Sequence, residues 1–173
     1  MAMHNLRVIK KQVIEKGFPE LKTVRVDIRW DQVKDGVMQM GYYLMENKII
    51  RPMEFIIYVD PCIRASTEQA IGAGIAHEGV HMIKHINLTI KGILEEERRY
   101  KSSRAYRERD EISTELEVIN RGFGFNLLAL EKFRETNFRH NGYIPSSHIE
   151  EILSRLIDLP APFTYQEYKT YFL

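Results

Sequence analysis

Residues 73–85 read "AGIAHEGVHMIKH". Three histidines recur at intervals of four, and a glutamate follows the first. Residues four apart share one face of a helix, so His77 and His81 can turn their imidazoles toward one point. Glu78 is rotated by about 100° around the axis, which sets its carboxylate beside that point rather than on it. Two imidazoles on a metal ion, with a base alongside to take a proton from polarised water, need this spacing. Zinc accepts two nitrogens and a carboxylate and keeps a position for water. Six histidines and 18 glutamates in 173 residues give roughly 0.02 chance matches to H-E-x-x-H, so the pattern is specific. His85 lies eight residues from His77, about 12 Å along the axis, too far for both to bind one ion together with His81. The longer pattern with a third histidine would need glycine at 84 and histidine at 87, where Lys84 and Asn87 stand.

Outward from the motif, Ser66 before "TEQ" predicts a helix N-cap with acidic residues in the first turn, and a helix over 67–86. Gly72, Gly74 and Gly79 disfavour a helix by about 1 kcal/mol each relative to alanine, so their presence predicts neighbours packed close to this backbone. Upstream, Leu6, Ile9 and Val13 recur at helical spacing within 5–17. "TVRVDIRW" (23–30) alternates like a half-buried strand, and residues 37–49 and 53–61 read as two more strands, the last closed by Pro61. Short polar connections containing Asp35-Gly36 and Glu46-Asn47 predict an antiparallel sheet.

Downstream, "EEERRYKSSRAYRERDE" (95–111) reads as a solvated helix face or a mobile loop. "ISTELEVI" and "FNLLALEKFRE" read as helices split by Gly122 and Gly124. A helix over 146–157 is expected to start from Ser146 or Ser147, with Glu150 completing a capping box. The chain ends in "LPAP" and an aromatic tail. A third metal ligand must come from another segment. Glu95, Glu96 and Glu97 sit in the charge run, where fixed geometry is hard to hold. In "RDEISTELEVIN" the apolar stripe Ile112, Leu116 and Ile119 should face the core. Glu111 and Glu115 border that stripe on one edge and Glu117 points away. Two carboxylates beside an apolar stripe are costly to bury without a cation. Either can be the ligand.

Composition narrows the class. A 173-residue chain that is 44% hydrophobic can bury the core of one domain. Its 25 basic and 24 acidic side chains nearly cancel, so no overall field draws it to nucleic acid or an anionic membrane. One cysteine, Cys62, excludes an internal disulfide framework and fits a reducing, cytoplasmic setting. No apolar run approaches membrane-spanning length.

"HEGVH" (77–81) followed by "EISTE" (111–115) resembles the gluzincin metallopeptidases, and with the strands ahead of the helix the small intracellular minigluzincin and ImmA/IrrE-like proteins. The resemblance spans residues 37–120. It implies an α+β, zincin-like fold in which a small antiparallel sheet packs on the active-site helix and a helical half follows. By the match His77, His81 and Glu111 hold zinc, Glu78 is the general base, and Glu115, where aspartate is usual, orients a ligand imidazole. The strand "EFIIYVD" (54–60) would wall the cleft, an extended peptide pairing with its free edge. His140, Tyr143 and His148 are available to stabilise an oxyanion. The expected activity is zinc-dependent hydrolysis of a peptide or protein substrate, with nucleic acid and membrane not expected as partners. The rival readings are a non-catalytic, regulatory zinc protein and a DNA-associated protease of the SprT type, the latter through Arg98, Arg99, Lys101, Arg104 and Arg107.

Overall fold

Short-range pattern becomes local structure at the N-terminus. The computed structural model describes residues 4–34, 36–43, 54–138, 142–158 and 161–173. Helix α1 (Leu6–Gly17) is capped by the Asn5 side chain and buries Leu6, Ile9 and Val13. Strands β1 (Arg25–Trp30), β2 (Met38–Tyr43) and β3 (Glu54–Val59) follow. The second strand's expected extension over 44–49, Asp35 of the first connection and the Glu46-Asn47 turn lie outside the described residues.

The sheet is mixed, in the order β1-β3-β2, and this corrects the antiparallel expectation. β1 runs parallel to β3, Val26 opposite Phe55, whereas β2 runs antiparallel to it, Met40 opposite Ile57. Burial explains the order. β3 hides residues of both faces, Phe55, Ile57 and Val59 on one and Ile56 on the other. Such an uninterrupted apolar run belongs in the middle of a sheet. β1 buries only alternate residues, Val26 and Ile28, and takes an edge. β3 is therefore bonded on both sides and has no free edge for a peptide; among the described residues β2 and β1 are the outer strands.

Past β3, Pro61 opens a short 3-10 turn to Ala65, and helix α2 (Glu68–Ile86) carries the histidines. Its cap is Thr67 rather than Ser66: the Thr67 side chain accepts the Ala70 amide, while the Ser66 hydroxyl donates back to the Ile63 carbonyl. The glycines do meet close neighbours. A Cβ on Gly74 would stand 2.5 Å from the Met38 sulfur, and one on Gly79 would stand 2.9 Å from the Phe18 ring.

The charge run is ordered as two helices. α3 (Ile90–Ser102) and α4 (Arg104–Val118) meet at Ser103, whose side chain caps α4. α4 buries Ile112, Leu116 and then Ile119, as the stripe predicts. Gly122, at φ +85°, kinks the chain into α5 (Gly124–Asn137). α6 (Ser146–Asp158) begins at Ser146, so Ser147 lies inside the helix; Ser146 bonds to Glu135 and Glu150 pairs with Lys132, and no Ser147–Glu150 box is seen among the described residues. The aromatic tail forms α7 (Tyr165–Phe172), opened by a Thr164–Glu167 capping box and anchored by buried Tyr168. The fold is α+β and mostly helical. No helix among the described residues is long and apolar enough to cross a membrane.

Candidate metal centre

The two elements that meet are α2 and α4. His77 and His81 project from successive turns of α2, and their Nε2 atoms stand 3.2 Å apart. Glu111 reaches them from α4, its Oε2 lying 3.0 Å from His77 Nε2 and 3.8 Å from His81 Nε2. All three ligand atoms fall within 4.8 Å of one another, and no other such group of histidine, cysteine and acidic residues occurs among the described residues. Donors on a tetrahedral zinc with bonds of about 2.0–2.1 Å lie about 3.3 Å apart. The three observed edges bracket that value. The donor set, two imidazoles and a carboxylate, also fits zinc chemically.

Glu111 is only 5% exposed. Burial alone would raise its pKa, yet the two imidazoles hold the carboxyl well below the usual carboxylate range. For His77, burial works to lower the pKa, but Glu111, with the charges of Glu78 and Glu115, raises it to about 9. The half-buried His77, with Glu111 in contact and the charges of Glu78 and Glu115 nearby, lies where positive charge is favoured. The second oxygen of Glu111 is also engaged. The Tyr100 phenol of α3 donates to Oε1, and burial followed by this bond pushes the Tyr100 pKa up. Sequence reading passed over Tyr100 because it lies in the charge run; the only pointer was Ser103, which turns that run into a hairpin.

Glu78 is 7% exposed, beside His77 on α2. Gly74, Glu78, His81 and His85 fall within about 60° of one another around the helix. The ends of this face touch β2, Gly74 at Met38 and His85 at Tyr42. Glu78 and His81 lie between these two contacts on the helix, and β2 is thus the strand that α2 meets along this face.

Glu115 does not take the role expected of it. It is 1% exposed, and its oxygens accept from the amides of Tyr143 at 3.3 Å and Ile144 at 2.7 Å. Burial and the neighbouring charge of Glu131 raise its pKa. Glu131, fully buried, accepts from the Gly142 amide and pairs with Arg134. The two glutamates thus clamp the 142–144 loop, and Glu115 acts on His77 through its charge without bonding an imidazole among the described residues.

Tyr143, 40% exposed, rides on that loop within electrostatic reach of Glu111, Arg107 and Tyr100. His148 stacks on Phe172 and bonds to Tyr168, in the α6–α7 packing. His140 lies outside the described residues. His85 is not in the ligand group. Its ring meets Tyr42 edge-on, and its buried Nδ1 has no hydrogen-bond partner among the described residues. Tyr42 in turn donates to Glu97, tying the sheet to α3. The chain matches no protein-family model, no curated protein and no solved structure.

Proposed function

We propose that this protein is a zinc-dependent peptidase with a zincin-like fold of the gluzincin type. The observation that carries the reading is the convergence of His77, His81 and Glu111 from two helices separated in sequence, with buried Glu78 alongside. Zinc held there would polarise a water molecule, lowering its pKa to about 7, and the carbonyl to be attacked. Glu78 takes the proton of the attacking water and hands it to the departing amine. Tyr100 fixes the orientation of Glu111 through Oε1. An extended peptide would add to the outer edge of β2, which pairs with β3 alone among the described residues. Main-chain bonds of this kind fit peptides of many sequences.

A nucleic-acid substrate is less well supported. Arg98 and Arg99 both bond Glu95, Lys101 pairs with Glu97, and Arg104 stands 3.9 Å from Glu108. These cations are largely answered within their own helices.

Elemental analysis of the purified protein tests the centre: about one zinc per chain is expected, and it should be absent from a His77→Ala, His81→Ala double variant. Glu78→Gln should retain the zinc and lose hydrolysis of peptide libraries that the parent cleaves. Zinc kept by the double variant would remove the basis of the proposal. Parent and Glu78→Gln equally inert on peptides while sharing a bound partner would favour the regulatory reading.

A further inference from the structure

Arg107 is set apart from the rest of the charge run. It lies one turn before Glu111 and two before Glu115, so the three share a face of α4. That face looks toward His77 of α2. Its guanidinium stands over the Tyr100 ring, 5.5 Å from the centroid, and the same ring's hydroxyl bonds Glu111. The exposed Tyr143 feels the charges of both Glu111 and Arg107.

Arg107 is also half-buried and has no carboxylate partner among the described residues. Of the neighbouring cations, Arg98 and Arg99 share Glu95, Lys101 has Glu97, and Lys84 has Asp110; Arg109 also lacks a carboxylate partner among the described residues, but it is exposed and lies over Tyr165 on another face of α4. A half-buried guanidinium without a counter-charge is unfavourable. A planar fork resting on an aromatic ring is pre-set to grip a carboxylate with two bonds.

We infer that Arg107 recognises a carboxylate of the peptide substrate close to the bond that is cut, so that the preferred substrates are acidic at that place. This rests on the peptidase reading. One helical turn separates Arg107 from Glu111, about 6 Å along the axis. An extended chain advances about 3.3 Å per residue, which puts the recognised carboxylate one or two residues from the scissile bond. It comes from an aspartate or glutamate side chain, or from the C-terminus of a short peptide.

Zinc-loaded Glu78→Gln protein binds without cutting and gives a readout independent of turnover. The probes are hexapeptide libraries with amidated C-termini and glutamate, glutamine or lysine fixed at one central position, plus the glutamine library with a free C-terminal carboxylate. Equilibrium dialysis with mass spectrometry reads what is retained. A charge-assisted pair contributes about 1.5–3 kcal/mol, so retention of the glutamate or free-acid library should exceed that of the amidated glutamine library by about tenfold or more. Which of the two is enriched identifies the source of the carboxylate. In the Glu78→Gln background, Arg107→Gln should abolish the preference at unchanged zinc content, and Arg107→Glu should shift it to the lysine library. Equal retention of all libraries by the Glu78→Gln protein, or a preference that survives Arg107→Gln, overturns the role of Arg107 and leaves the peptidase reading standing. Retention of none overturns both.

Discussion

Tyr100→Phe removes a single oxygen near the candidate metal centre and, on the proposed function, should weaken zinc binding without touching a proposed ligand. The phenol donates to Oε1 of Glu111, while Oε2 of the same carboxylate faces both imidazoles. Phenylalanine keeps the ring over which Arg107 lies, so packing changes little. A hydrogen bond to a charged acceptor contributes about 1.5–3 kcal/mol. Partners that orient a metal ligand typically change affinity by about 10–100-fold, which is the same range in free energy. The dissociation constant for zinc should therefore rise by at least about tenfold. Competition with a chromophoric chelator at fixed pH measures it, and circular dichroism reports whether the fold is intact. A folded Tyr100→Phe protein that binds zinc within a factor of about two of the parent would refute the idea that this bond holds Glu111 as a ligand.

Glu111→Ala should lose zinc outright, whereas Glu115→Ala should keep more zinc but unfold more easily by about 1–3 kcal/mol, since it strands the Tyr143 and Ile144 amides; the reverse order in chelator and denaturant titrations would move the ligand one turn along α4. Zinc affinity should climb about tenfold per pH unit from near 6.5 to about 9 and then level, because binding displaces the one proton that His77 holds, and a flat titration across that range would contradict it. Stripped of metal, the protein should lose stability as pH rises through about 9. Folded His77 keeps its proton to a higher pH than the unfolded chain does, so that stabilisation is complete below about 6.5 and gone above 9, and thermal melts across the range should show the decline. Gly79→Ala should destabilise the fold, since its Cβ would meet the fully buried Phe18 ring at 2.9 Å; overpacking of about 1–3 kcal/mol exceeds the gain in helix propensity of about 1 kcal/mol. An unchanged melting temperature would show that the ring yields.

The spacing of His77, Glu78 and His81 was legible in the sequence because a helix has one period, and residues one turn apart stand together wherever that helix packs. The same locality explains the buried stripe of Ile112, Leu116 and Ile119 and the break at Gly122. Other features needed contacts between distant segments. β3 entered the sheet between β1 and β2 because it alone had apolar side chains for both faces, a comparison among strands that no single turn reveals. Glu111 and Glu115 are nearly equivalent on the wheel of α4. They became different when α2 approached the first and the 142–144 loop closed over the second. Tyr100 met Glu111 only because Ser103 folds the charge run back on itself. Periodicity sets positions within a helix to a few ångströms, whereas which segments meet is chosen by burial summed over the whole chain.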